Sequence, residues 1–185
     1  MNGIEVNRLI SDLISGQLDT QIPALEQVCE LVNHLVKVAV DVLETGPERF
    51  LIAERLHRLG ATAVDPLQVL VMKTDNAEVR ILASMVLLQL GSRAGMHWLL
   101  QAIIEDQHYA CLIVRHLAEN RIYEAVDRII ARLKTSASDD VDLIVTFLTA
   151  LETLKVDVPP DLIDRFEQPS MPWQVRTAVG RLKSK

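Results

Sequence analysis

The histidines, cysteines and serines decide first whether this chain could do chemistry. His34, His57, His97, His108 and His116 include no i,i+4 pair on one helix face, and none joins a Cys/His cluster with zinc-like spacing. Cys29 and Cys111 are far apart and form neither a CxxC pair nor a disulfide framework. Cys111 and His116 are five residues apart, about 140° round a helix, so they do not face one another as a nucleophile and base must. Cys29 sits between Val28 and Val32 and reads as a small buried hydrophobe. Ser11, Ser15, Ser84, Ser92, Ser136 and Ser138 lie in no nucleophile-elbow pattern, and no GxGxxG or GxxxxGK loop is present. No catalytic residue, metal or cofactor is therefore expected.

The elements behind these residues are helical almost throughout. Of the 185 residues 49% are hydrophobic but only 4% aromatic, with 7 glycines and 7 prolines. An aliphatic, Gly/Pro-poor chain favours packed helices. Val6, Leu9, Ile10, Leu13 and Ile14 share one face of a short first helix, which "GQLDTQI" interrupts. Pro23 is placed as a first-turn proline, and the next helix runs to about Glu44 with Gly46 as its stop. Glu26, Glu30, His34, Lys37, Asp41 and Glu44 form its one narrow polar stripe, so helix 23–44 is expected to be buried on most sides or to supply a homodimer contact. No apolar run reaches the ~18 residues of a membrane span, and "MNGIEVNRLI" is not a signal peptide, so a cytoplasmic protein is expected.

From Gly46 the sequence repeats. A shift of 31 residues places Arg49 on Arg80, Leu56 on Leu87, Leu59 on Leu90, Gly60 on Gly91 and Asp75 on Asp106. Each unit reads as a helix, a glycine stop, a second helix and a polar turn: "PERFLIAERLHRLG" with "DPLQVLVMKT", then "EVRILASMVLLQLG" with "AGMHWLLQAIIED". "YACLIVRHLAEN" with "YEAVDRIIARLK" aligns at a shift of 30, with Ala110 in the arginine slot and Arg121 in place of the glycine. "VDLIVTFLTALETLK" with "PPDLIDRFE" is looser, and "MPWQVRTAVGRLKSK" restarts the pattern with Arg176. Asp75 is the N-cap candidate of the second unit, with Glu78 three residues on.

The Asp75, Glu78, Val79, Arg80 start, the small Ala83 and Ser84, Leu87 and the Leu90-Gly91 end resemble HEAT repeats, in particular the bacterial type named after phycobilisome lyases. The resemblance covers roughly residues 46–185. It implies an all-α, right-handed α-α superhelix, a HEAT/armadillo-like solenoid of about four helix pairs, with residues 1–45 as an N-terminal helical cap of the same domain. It also implies that second helices line a concave face, and that Arg80 ties neighbouring units through carbonyls or a carboxylate such as Asp75 or Asp106, with Gly91 completing the joint.

On that face Gln68 and Met72 point outward from the first pair, His97, Gln101 and Glu105 from the second, and Glu124, Arg128 and Arg132 from the third. Leu67, Leu70, Val71, Trp98, Leu99, Ala102, Ile103, Val126, Ile129, Ile130 and Leu133 pack. Trp98 and Trp173 read as core or cap residues. The net charge is -6, and Thr135–Ser170 alone holds eight acids against two bases, while the last fifteen residues carry four bases and no acid. Such a chain lacks the basic face that phosphate contacts need, so nucleic acid is not an expected partner. The expected function is a non-catalytic protein-binding module or scaffold whose acidic flank suits a basic partner surface. The alternatives are a chromophore-lyase-like subunit handling a bilin and its acceptor protein, which an absorbance shift on mixing with a bilin would reveal, and an acidic toxin-neutralising inhibitor.

Overall fold

The computed structural model describes residues 3–106 and 108–184; Lys185 and the two leading residues of the amino-terminal segment lie outside the described residues. The elements in order are α1 (Gly3–Leu13), α2 (Leu18–Thr45), α3 (Arg49–Leu56), a 3-10 stretch (His57–Ala63), α4 (Val64–Lys73), α5 (Ala77–Gln89), α6 (Met96–Glu105), α7 (Ala110–Glu119), a 3-10 turn (Tyr123–Ala125), α8 (Val126–Thr135), α9 (Val141–Leu154), α10 (Pro160–Glu167) and α11 (Trp173–Lys183). There is no strand among the described residues. Two compact units divide the chain, Met1–Val86 and Leu87–Lys185, and the division falls within α5.

In the first unit α1 packs on α2, and α2 on α3 and α4. Ala24, Val36, Leu43, Leu56, Leu67, Leu70 and Val71 are its buried core. α2 starts at Leu18, five residues before Pro23, so Pro23 lies inside the helix and not in its first turn. Three hydrogen bonds hold the extra turn: the Thr20 and Gln21 N–H groups donate to the Gln17 carbonyl at 3.0 and 2.9 Å, and Gln21 Nε2 donates to the Leu13 carbonyl at 2.9 Å. Proline here removes the one N–H that would reach Asp19. At the other end Gly46 N–H donates to the Val42 carbonyl at 2.8 Å, as expected of a stop. A Cβ on Gly46 would lie 2.6 Å from that oxygen, so only glycine fits.

The expectation that this helix is buried on most sides is not met. Leu18, Ile22, Leu25, Leu35 and Val38 are exposed, and Cys29, expected in the core, is exposed too. Its neighbours cover one side of it; apolar residues all round do not by themselves bring neighbours to every side. α5 behaves as an all-apolar helix should: from Val79 to Leu88 every residue but Arg80 is buried.

In the second unit α6 packs on α7 and α8, α7 on α9, α8 on α9, α9 on α11 and α10 on α11. Leu99, Ile103, Ile113, Leu117, Ile129, Leu133, Phe147, Leu148, Leu151 and Phe166 form the core. The aliphatic i, i+3, i+4 positions of each helix supply it. Trp98 is half-buried, and Trp173 is not a core residue: it is 66% exposed at the start of α11.

Candidate functional site

The closures of α5, α7 and α9 set where each chain segment turns into the next helix. Gly91 takes φ 80°, the left-handed conformation. The Ser92 N–H donates to the Leu87 carbonyl at 2.8 Å and the Gly91 N–H to Leu88 at 3.0 Å, a Schellman closure of α5. The same pair of bonds closes α7 at Arg121 (φ 55°), with Ile122 to Leu117 at 2.9 Å and Arg121 to Ala118 at 3.0 Å. It closes α9 at Lys155 (φ 56°), with Val156 to Leu151 at 3.3 Å and Lys155 to Glu152 at 3.1 Å. Arg121 thus does take the glycine's place. Lys155 was missed by sequence reasoning, because its offset from Arg121 is 34 residues and a fixed shift passes over it.

Arg80 is half-buried and donates through Nη2 to the Thr74 carbonyl at the end of α4. Arg49, in the same slot, donates through Nη2 to the Glu44 carbonyl at 3.2 Å and through Nη1 to Glu78 Oε2 at 3.1 Å. The last-turn carbonyls that a helix leaves unpaired are the natural acceptors for a forked cation. Arg176, the third candidate for the slot, is exposed. The start of α5 lies one residue later than expected. Asn76 Oδ1 accepts the Val79 N–H at 3.2 Å, so Asn76 and not Asp75 is the cap, and Glu78 accepts from Arg49. Asp106 Oδ1 accepts the N–H groups of His108 and Tyr109, both at 2.7 Å, and so organises the turn into α7.

Two contacts align the faces of α6 and α8. Arg93 Nη1 pairs with Glu124 Oε1 at 2.7 Å near the two helix starts, and Arg132 Nη1 donates to the Ile104 carbonyl at 2.7 Å near α6's end. The helices therefore run parallel. The Glu124 carboxyl sits below the usual carboxylate range because its own backbone N–H, and then Arg93, donate to it. On this face His97 is exposed, with its ring tilted 43° against Trp98 at 4.4 Å between centroids. Gln101 Nε2 donates to Glu105 at 3.0 and 2.9 Å, and both residues are exposed, as is Arg128. Arg132 is half-buried and engaged in closing α6, so it is a joint residue as well as a face residue. Gln68, half-buried, and Met72, 78% exposed, lie on α4 in the first unit.

Arg165 repeats the part of Arg132. Its Nη1 donates to the Leu133 and Lys134 carbonyls at 2.9 and 3.0 Å and its Nη2 to Ser136 at 2.5 Å, while the guanidinium lies 4.9 Å from the Phe166 ring centre. The signal was present in the sequence: I-A-R-L at 130–133 returns as I-D-R-F at 163–166.

Cys111 is half-buried on α7 and lines a 540 Å³ recess with Arg132, Asp139, Asp140 and Asp142. Burial pushes its thiol up from the ordinary value; a hydrogen bond with Thr146 works the other way and Asp142 adds to the rise. A protonated thiol is a poor nucleophile. Among the described residues no group of three or more His, Cys, Asp or Glu is placed to hold a metal ion. No described helix is long and apolar enough to cross a membrane.

No protein-family model matches this chain, and no curated protein or solved structure proves similar to it.

Proposed function

We propose that this chain is a HEAT-like helical-repeat protein whose second helices present a non-catalytic protein-binding face. The observation that carries the reading is like-on-like stacking in the second unit: α7 on α9 and α9 on α11, with α6 on α8. Parallel helices one repeat apart are what a solenoid of helix pairs requires. The contacts between stacked elements recur near the sequence period, at separations of 31 (Arg93–Glu124), 28 (Arg132–Ile104) and 29 (Arg181–Glu152). With the first helices stacked on one another, α6 and α8 leave His97, Gln101, Glu105 and Arg128 facing outward. That set mixes an acid, a base, an imidazole and an amide, which suits a polar protein surface better than a phosphate backbone.

The test is affinity capture from the native cell with the intact chain and with a variant carrying His97→Ala, Gln101→Ala, Glu105→Ala and Arg128→Ala. Arg132 is left in place because α6 depends on it. Captured proteins identified by mass spectrometry should fall at least tenfold in the variant while its helical circular dichroism is unchanged. Undiminished capture would count against the face.

A further inference from the structure

The amino-terminal half of α2 carries an apolar seam that its own unit leaves uncovered. Leu18, Ile22, Leu25 and Cys29 are all exposed and follow one another at steps of four, three and four residues. This is the spacing of a helix seam that packs against another helix. The same seam continues through Val32, Val36, Ala39 and Leu43, where Val36 and Leu43 are fully buried within the unit. So one ridge runs the length of the helix: its carboxyl half is core and its amino half has no cover. Ile10 on α1 and Ile14 in the following turn add to the exposed end, and exposure of these aliphatic residues runs from 50% at Ile10 to 77% at Ile14.

We infer that this seam is where a second copy of the chain docks, with the residue 10–29 surfaces of two copies packed together. The area favours it. Ile10, Ile14, Leu18, Ile22 and Leu25 are each at least half exposed and together present on the order of 500 Å², within the range of the largest apolar patch on a soluble monomer. Two such patches facing each other bury on the order of 1,000 Å², about what a biological interface must clear. The chemistry favours it as well. No charged residue lies on the seam between Leu18 and Cys29, and Asp19, Glu26 and Glu30 lie about 65–105° away on one flank, so pairing desolvates no ion. A ridge of Leu and Ile at four–three spacing is complementary to a copy of itself. The contact expected over residues 23–44 therefore moves towards the amino terminus, since the second half of that window is spent on the unit's own core. This inference is independent of the second-helix face.

Light scattering after gel filtration of the full chain tests it. At tens of micromolar the mass should be twice the 20.7 kDa of one chain. Leu18→Glu with Leu25→Glu should return it to a single chain, with the dissociation constant raised at least 100-fold and the helical signal unchanged. Leu35→Glu with Val38→Glu, on another exposed side of the same helix, should leave the dimer intact. A single-chain mass at every concentration up to about 100 micromolar overturns the inference and gives the face to some other partner; a dimer that survives the Leu18/Leu25 variant overturns it too.

Discussion

Arg121 and Lys155 hold a backbone conformation that suits glycine, and each carries a side chain into it. A left-handed residue with a Cβ costs roughly 1–2 kcal/mol, partly offset by the extra freedom glycine gives the unfolded chain. Arg121→Gly and Lys155→Gly should therefore each stabilise by about 0.5–1 kcal/mol, and Gly91→Ala should destabilise by about 1 kcal/mol, all read from guanidinium denaturation midpoints. No atom lies within 4 Å of where a Gly91 Cβ would sit, so the Gly91→Ala effect isolates backbone strain from crowding. The two thiols should also separate. Cys29 is exposed, whereas Cys111 is half-buried with its ionisation pushed up by burial. Because Cys111 deprotonates only above its ordinary value, alkylation near pH 8 should consume one thiol per chain quickly. The second should react more slowly at that pH and speed up at higher pH or on unfolding; equal rates at pH 8 would contradict the placement of Cys111. Gly91 and Arg121 were legible in the sequence because the repeat spacing there is nearly constant. Cys29 was not, because flanking valines say that a surface is apolar and nothing about what covers it.

Helix ends carry much of the order between elements. Arg165 satisfies three carbonyls at the end of α8, the groups a helix cannot pair for itself. Arg165→Ala should cost about 2 kcal/mol, a single charged hydrogen-bond donor of this kind being worth 1.5–3 kcal/mol. Arg165→Lys should recover only part of this, since one ammonium cannot span the fork. At the start of α5, Asn76→Ala should cost about 1 kcal/mol while Asp75→Ala changes little, both measured by thermal denaturation. Element existence was readable from apolar periodicity: "LVNHLVKVAVDVL" is helical and Gly46 ends it, as expected. Its start was not, because a proline suits a first turn so well that the Gln21 side chain's bond to Leu13, which sustains an earlier turn, leaves no trace in local pattern.

At the scale of the whole molecule several basic side chains are engaged with the chain itself. Arg49, Arg93, Arg132, Arg165, Arg181 and Lys183 each donate to carbonyls or carboxylates. With a net charge of -6 in addition, duplex DNA should show no measurable change in fluorescence anisotropy with the protein even at 20 mM salt. Retention that weakens steeply with added salt would overturn this expectation. The candidate face was partly legible: the outward stripe His97, Gln101, Glu105 and Arg128 follows from helical periodicity and is exposed. Arg132 fits the same stripe, yet a bond to a carbonyl 28 residues away draws it into the joint.

The sequence by itself determined that the chain is helical and where α5 and α7 close, at Gly91 and Arg121. These depend on interactions between residues three to five apart, and such interactions are written in local order. Tertiary structure decided which apolar faces are covered. Along α2 one four–three seam is core at Val36 and Leu43 and bare at Leu18 and Leu25, although the residue types are the same. Burial depends on where other helices pass, and that is set by the packing of the whole unit.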